Sequence, residues 1–311
     1  MAVCLAAFNG VQWLNEQFDS ILSQFGVDVT LFVSVDMSTD GTEELVDMRA
    51  RNDCRIVVLP HGNHFGGAAS NFFRLLRDVD FSGFDYVCLA DQDDIWLSEK
   101  LVRAFDVFQR TKVDAYSSNV VAFWPSGRRI LVRKSQPQKR WDFLFEAAGP
   151  GCTYVMKVKL AQIIQTFVQK YWNELRKVGL HDWFLYAFTR AHGYQWFIDE
   201  YAGVLYRQHQ ENQVGVNVGW HAFKNRVRKV MSGWGLEQVV LIARLVGLCD
   251  EYFVRSRLRG GRIGFLMLAI NAGQCRRCVR DRWLFMFSSI LLCIVGGRGK
   301  IVAQKKDKDK G

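Results

Sequence analysis

Three carboxylates fall within four positions in the stretch Leu89-Ala90-Asp91-Gln92-Asp93-Asp94-Ile95-Trp96. Carboxylates this crowded repel one another unless a cation sits among them. Asp91 and Asp93 are two apart, so both can turn toward one hard cation where a strand gives way to a loop. Oxygen-only donors of this kind suit Mg²⁺ or Mn²⁺, above all when a diphosphate completes the shell. The same residues also read as a solvated acidic turn before a helix beginning near Ser98, and a D-x-D by itself does not separate the two readings.

The elements that must position these groups are legible around them. Tyr86 to Ala90 is a short apolar run after the Ser82-Gly83 turn, so it reads as a buried strand with the acids at its C-terminal end. Open α/β sheets bind ligands at that end. Upstream, strands are expected at Val3–Ala7, Val29–Val35 and Arg55–Leu59, the last ended by Pro60. Helices alternate with them: one carrying Leu14, Phe18, Ile21 and Leu22, one opened by an Asp40/Glu43 capping pair, and one over Ala69–Arg77. This alternation predicts an α/β fold with a mostly parallel central sheet and helices on both faces.

Downstream the pattern changes. A helix over Glu99–Arg110 leads to strands at Tyr116–Phe123 and Ile130–Val132, then a polar, basic loop over Lys134–Arg140. Cys152–Met156 reads as a strand, Lys159–Tyr171 as a helix, and His181-Asp182-Trp183 opens another helix running to about His192. Short strands follow at Trp196–Ile198 and Val204–Tyr206. From Trp220 the chain reads as helical, with a long packed helix over Leu236–Val254 and an apolar one over Trp283–Val295. The expected division is 1–219 for the α/β domain and 220–311 for a basic helical region.

Charge is spread unevenly along this chain of 311 residues with net charge +10. Residues 1–200 carry 21 Lys/Arg against 24 Asp/Glu, and residues 201–311 carry 20 against 7. A basic C-terminal third favours an anionic partner. The Trp283–Val295 run is short for a bilayer span, which needs about 20 residues, and Arg276, Arg277, Arg280, Arg282 and Arg298 flank it. It suits an interfacial helix on anionic lipid or a helix packed on the domain, and both readings stand. The 8 cysteines are scattered, with Cys275-x-x-Cys278 the one close pair and no histidine at finger spacing. That pattern argues against zinc and against a disulfide framework. With no signal peptide legible, a cytoplasmic protein is expected. No G-x-G-x-x-G follows the first strand and no G-x-x-x-x-G-K-[ST] occurs, which disfavours dinucleotide enzymes and P-loop ATPases.

The acidic stretch, together with Val3-Cys4-Leu5-Ala6-Ala7-Phe8-Asn9-Gly10, Asp36-Met37-Ser38-Thr39-Asp40-Gly41-Thr42, His181-Asp182-Trp183 and Tyr206-Arg207-Gln208-His209, resembles bacterial family 2 glycosyltransferases, particularly rhamnosyltransferase-like ones. The resemblance covers about the first 215 residues. It implies a GT-A fold that transfers sugar from a nucleotide diphosphate. It also implies roles. Asp182 matches the catalytic base, with a helix N-cap as its alternative. Ala7, Asn9, Asp36, Asn71, Asp91, Gln92 and Arg207 match positions around the nucleotide sugar, with Asp36 toward base or ribose; Asn71 also reads as a helix cap. Asp91, Asp93 and His209 match the metal site, His209 also reading as an exposed loop histidine. The chain departs from the family pattern at Val35 and Met37, where Asp and Gly are usual, and at Ala7 and Phe8, which replace Thr-Tyr.

Two functions follow from the resemblance. The first is an inverting, metal-dependent enzyme moving a sugar, with rhamnose suggested, to a saccharide or polyprenyl-linked acceptor for cell-surface polysaccharide, peripheral at the inner face of the cytoplasmic membrane. The second is a nucleotide-sugar-binding protein that has kept the fold and lost activity, motivated by Val35 and Met37. A nucleic-acid partner is not expected, because no recognition motif accompanies the basic third.

Overall fold

The computed structural model describes residues 1–62, 64–209 and 233–295. Its described residues divide into two compact units: 1–137 with 146–209, and 138–145 with 233–295. The domain boundary expected at 219/220 lies outside the described residues. That the segment 138–145 leaves the first unit for the second was not anticipated.

The first unit is built on a seven-stranded sheet. Strand β1 (Ala2–Ala7) leads through α1 (Val11–Leu22) to β2 (Thr30–Val35), then through α2 (Thr42–Asn52) to β3 (Ile56–Val58). After α3 (Ala68–Asp78) the chain returns to the other side of β1 as β4 (Tyr86–Asp91). The β1–β2, β2–β3 and β1–β4 pairings are parallel, so the winding reverses between β1 and β4. That reversal opens a crevice at the carboxyl ends of these two strands. Ala6 pairs with Asp91 there.

Period-two alternation explains the layers. Val3, Leu5 and Ala7 of β1, Leu31, Val33 and Val35 of β2, and Cys88 and Ala90 of β4 share one core with Leu14, Phe18 and Ile21 of α1. α4 (Lys100–Arg110) adds Leu101, Ala104, Val107 and Phe108 to it. On β1 and β2 also packs α3, which in turn meets α5 (Val158–Lys170) and α7 (His181–Ala191), the four-residue α6 (Trp172–Leu175) lying between them.

A second sheet of four strands follows the order β5 (Ile95–Trp96), β11 (Val204–Arg207), β7 (Val120–Phe123), β8 (Arg129–Val132). The single strand expected over Tyr116–Phe123 is in fact two. β6 (Ala115–Ser118) belongs to the large sheet, beside β9 (Val155–Lys157) and β10 (Trp196–Asp199), and β7 belongs to the small one. Asn119 makes the crossing. Its side-chain oxygen accepts from Lys134 N–H at 2.6 Å and Ser135 N–H at 3.1 Å, and its amide donates to Glu200 C=O at 2.9 Å. Periodicity cannot show a strand changing sheets, because both halves are apolar.

Other boundaries moved for local reasons. The strand expected at Cys152–Met156 starts only at Val155, since Gly151–Thr153 form a 3-10 turn. Asp40 is not a capping-box residue. It accepts from Thr42 and, at 3.0 Å, from Val11 N–H, tying the starts of α1 and α2 together.

The second unit holds α8 (Trp234–Leu245), α9 (Tyr252–Leu258), α10 (Gly261–Ile270), α11 (Ala272–Cys275) and α12 (Val279–Val295). The long helix expected over Leu236–Val254 is broken. Leu248 N–H bonds Ala243 C=O and Gly247 N–H bonds Arg244 C=O, a closure that needs the left-handed backbone Gly247 supplies at φ 77°. Trp141 stacks on Phe253 at 4.5 Å, and Asp142 pairs with Arg277 at 3.1 Å, both side chains fully buried. None of the eight cysteines is disulfide-bonded, and Cys4 and Cys88 are buried in the sheet. Among the described residues no helix is long and apolar enough to cross a membrane.

Candidate active site

Asp91 closes β4, and the turn after it carries Asp93 and Asp94 into β5. β5 pairs antiparallel with β11, so the chain that leaves the acids is answered by the one carrying Tyr206-Arg207-Gln208-His209. This pairing, between residues more than a hundred positions apart, brings His209 Nε2 to 2.6 Å from Asp93 Oδ2. The His209 ring also stacks on Trp13 of α1 at 4.2 Å. Arg207 binds the acidic turn itself: its backbone N–H donates to Asp94 Oδ1 at 3.1 Å and its Nε to Asp93 C=O at 2.8 Å. Its remaining guanidinium end is held by Glu16.

The donors Asp91, Asp94 and Cys152 lie within 4.8 Å of one another. Asp94 is buried, and its Oδ2 has no hydrogen-bond partner. Burial first, then the charges of Asp93 and Asp91, holds the Asp94 carboxyl well above the usual range. Asp91 is pushed up by burial, then by Asp93 and Asp182. Without a counter-charge, carboxyls in this state are held in the protonated form; a divalent cation would take the place of the protons and keep them ionised, so the carboxylates present fit a hard cation. The metal set expected from the sequence was Asp91, Asp93 and His209; the structure pairs Asp93 with His209 and groups Asp91 with Asp94 and Cys152. Lys100 stands close behind, its buried ammonium 3.3 Å above the Trp96 ring without a hydrogen-bond partner, and burial lowers it to about 8. The Tyr206 phenol is raised by burial and by Asp91 and Asp94.

Asp182 belongs to the opposite wall. Helix α7 begins at His181 with Leu180 as its cap, so Asp182 is the second helical residue and does not serve as the N-cap. Its Oδ1 accepts from Trp183 N–H at 2.7 Å. Burial pushes its carboxyl up to about 6, against the pull of that N–H and of the Lys134 charge. His181 stacks on Phe72 at 3.9 Å and is held neutral by burial, its pKa lowered to about 3. The 3-10 turn at Gly151–Thr153 lies between the two walls: Cys152 touches the acids, while a Cβ on Gly151 would sit 2.5 Å from His181 Nε2 and 3.5 Å from Asp182 Cβ.

The remaining expected residues lie on the β1–β2 side, and several are committed to the protein itself. The Gln92 amide pins the backbone of Phe8, accepting from its N–H at 2.7 Å and donating to its C=O at 2.9 Å. Asn9, in the left-handed region at φ 45°, accepts from Thr39 N–H and donates its own N–H to Ser38 Oγ. Ala7 C=O accepts from Asp36 N–H at 2.8 Å. The Asp36 carboxylate accepts from Phe65 N–H at 2.8 Å and Gly66 N–H at 3.2 Å, with His64 Nδ1 at 3.3 Å. Asn71 neither caps α3 nor faces the crevice. It is buried, donating to Ala7 and Ser34 C=O and accepting from Ser34 Oγ, so it ties β1 to β2. Sequence reasoning named neither Cys152 nor Lys100 for this site. Asp94 was visible in the acidic run, whereas the other two look like ordinary core and helix residues.

A strand-end acid cluster at a sheet's switch point, facing a buried carboxylate, is what a match to the model of Glycosyl transferase family 2 over residues 2–163 then explains. The chain belongs to that family. This glycosyltransferase is 42% identical to the dTDP-rhamnosyl transferase RfbG of Shigella flexneri over 92% of its own length and 99% of that protein's. It is 30% identical to the abequosyltransferase RfbV of Salmonella typhimurium over 32% of this chain and 30% of that one. Among solved structures it resembles S. aureus TarS 1–349 in complex with UDP-GlcNAc, at TM-score 0.53 and 12% identity, over 94% of this chain and 88% of that one. It also resembles the mannosyltransferase PcManGT of Pyrobaculum calidifontis in complex with GDP-Man and Mn²⁺, at TM-score 0.50 and 16% identity, over 94% and 85%. At those identities the likeness is one of fold, the GT-A fold expected from the sequence.

Proposed function

We propose that this glycosyltransferase moves rhamnose from dTDP-rhamnose, with inversion, to a saccharide or polyprenyl-linked acceptor in cell-surface polysaccharide synthesis. The observation that carries the reaction is the acid cluster of Asp91, Asp93 and Asp94 at the β1–β4 crevice with the Asp182 carboxylate opposite. The donor is argued from likeness to the Shigella relative over nearly its whole length. The acceptor class is a reading of the family resemblance and of the basic C-terminal third.

In this reading the acceptor hydroxyl attacks the anomeric carbon from the side of Asp182. As the new C–O bond forms and the bond to the diphosphate breaks, the hydroxyl proton passes to the Asp182 carboxylate, which acts as general base. A carboxyl poised near 6 is largely ionised at neutral pH and still basic enough to accept that proton. Asp91, Asp93, Asp94 and His209 are the residues that would hold Mg²⁺ or Mn²⁺, which supplies charge neutralisation for the leaving diphosphate. Arg207 and Gln92 keep the acidic turn and the Phe8 loop in place. Asp36, Asn9 and Ala7 border the nucleotide end. The partner surface is an anionic membrane at the inner face of the cytoplasmic membrane.

The test is a melting curve with dTDP-rhamnose, with and without Mn²⁺, followed by a transfer assay. At 100 times its dissociation constant the donor should add about 2.7 kcal/mol of stability. Asp93→Ala should remove the Mn²⁺-dependent part of the shift and stop transfer while the protein still folds. Normal transfer by that variant would show the cation assignment to be wrong. A donor shift without any transfer or donor hydrolysis would favour the non-catalytic binding protein.

A further inference from the structure

Apart from Arg262 in its first turn, α10 is apolar all the way round. Gly264, Phe265, Leu268 and Ala269 are buried on one side. Ile263, Leu266, Met267 and Ile270 recur at helical spacing on the other and remain 42–74% exposed. A helix apolar on every side is ordinarily buried on every side, and among the described residues nothing covers half the surface of α10. α12 packs along it and repeats the pattern. Val279, Trp283, Phe287 and Ile294 fall in one narrow stripe at 3.6 residues per turn and remain 57–69% exposed. The Trp283 and Phe287 rings stack on each other along this stripe at 6.3 Å. Eight large apolar side chains concentrated on two neighbouring helices mark an interaction surface, where single exposed ones would not.

The charges around these stripes are mostly positive. Arg255, Arg259, Arg262 and Arg280 are exposed on or beside the same helices. No Asp or Glu occurs between residues 252 and 280. Asp281, the next acid, is already paired with Arg280 at 3.3 Å and lies 3.9 Å from Arg276. A symmetric contact between two copies would set these arginines against one another. A surface that presents phosphates above an apolar layer complements both the arginines and the stripes. Exposed Trp and Phe beside arginine is the composition that settles at such a boundary.

We propose that the adjacent apolar stripes of α10 and α12 are the face by which this chain inserts shallowly into an anionic bilayer. The apolar side chains enter the headgroup–acyl boundary, and Arg255, Arg259 and Arg262 meet lipid phosphates. The helices lie on the membrane and do not cross it, since neither is long and apolar enough over its described residues. This rests on the membrane-partner part of the reading above and is independent of the donor and the chemistry.

Flotation of the full-length protein with vesicles tests it. Binding is expected to vesicles containing phosphatidylglycerol at low salt, falling as salt rises, and to be absent with pure phosphatidylcholine. Ile263→Glu and Ile270→Glu should each weaken binding about tenfold and together abolish it. Both positions are exposed, so melting temperature and the Mn²⁺-dependent donor shift should stay as in the wild type. Arg259→Gln with Arg262→Gln should weaken binding and flatten its salt dependence. The proposal is overturned if the protein ignores phosphatidylglycerol vesicles, or if it binds them equally well with both Glu substitutions. It is also overturned if light scattering shows a concentration-dependent dimer that the same substitutions dissociate, because a second copy then covers the face. The donor shift, followed in parallel, keeps a failure of the donor assignment separate from a failure of the membrane face.

Discussion

At the scale of single residues, the proposed chemistry turns on Asp182. Burial raises its carboxyl to about 6 in the folded chain, from 3.8. A group whose folded pKa is raised contributes stability below its unfolded value, and that contribution is lost as pH climbs through the folded one. Holding Asp182 ionised at pH 7 therefore costs the fold up to about 3 kcal/mol. Asp182→Asn removes that cost and also removes the proton acceptor. The variant should melt higher than wild type at pH 7, by a margin that shrinks as pH falls from about 6 to about 4 and is gone below that, and bind donor unchanged. Single-turnover transfer should fall by about 10²–10⁴. In the wild type, kcat/KM for acceptor should lose activity on the acid side with a midpoint near or below 6. A profile flat from about pH 4.5 to about pH 8 would return Asp182 to a structural role.

At the scale of elements, the site depends on two small pieces that bring distant chain together. The first is the two-residue pairing of β5 with β11, which sets Arg207 and His209 against the acidic turn. The second is the 3-10 turn at Gly151–Thr153, which touches the acids through Cys152 and the start of α7 through Gly151. A methyl group at Gly151 meets His181 Nε2 at 2.5 Å, and His181 is itself clamped by Phe72. Gly151→Ala must therefore displace the start of α7 and the Asp182 carboxylate with it. Misplacement of a catalytic group by about 1 Å costs on the order of 10² in rate. Transfer should drop by that order in Gly151→Ala while donor affinity holds. Equal losses in donor affinity and rate would mean that the turn supports the nucleotide side as well.

At the scale of the whole molecule, the chain forms two units, and the second is closed by a segment borrowed from the middle of the sequence. Trp141, Asp142 and Phe145 pack with α9, α11 and α12, and Asp142 meets Arg277 in a fully buried pair. Removing one partner of such a pair leaves a charge without compensation, at a cost of about 3–5 kcal/mol. Arg277→Met should destabilise the second unit by that amount. Asp142→Leu combined with Arg277→Met should recover most of it, because an apolar pair of similar volume has no charge to desolvate. Chemical denaturation followed by the second unit's tryptophans, with the double variant as unstable as the single, would show that the loss is one of packing and not of an orphaned charge.

The sequence by itself determined what local chemistry determines. β-branched runs and 3.6-residue spacing placed the parallel strands and their helices, and the D-x-D with its companion motifs identified the family and the end of the sheet where ligands bind. Long-range placement was decided only by the fold. Asn71 and Gln92 carry amides that suit a ligand as well as a backbone, and only packing shows that they bond the backbone of β1, β2 and Phe8. Cys152 and Lys100 gave no signal, because an apolar-flanked thiol and a helical lysine come near the acids only when the 3-10 turn at Gly151–Thr153 and the start of α4 set them there. Asn119 hid a change of sheet inside one apolar run, and segment 138–145 hid its departure to the second unit inside a polar one. Strand and helix follow from neighbours in sequence; which side chains face a crevice follows from contacts across a hundred residues, which no local pattern encodes.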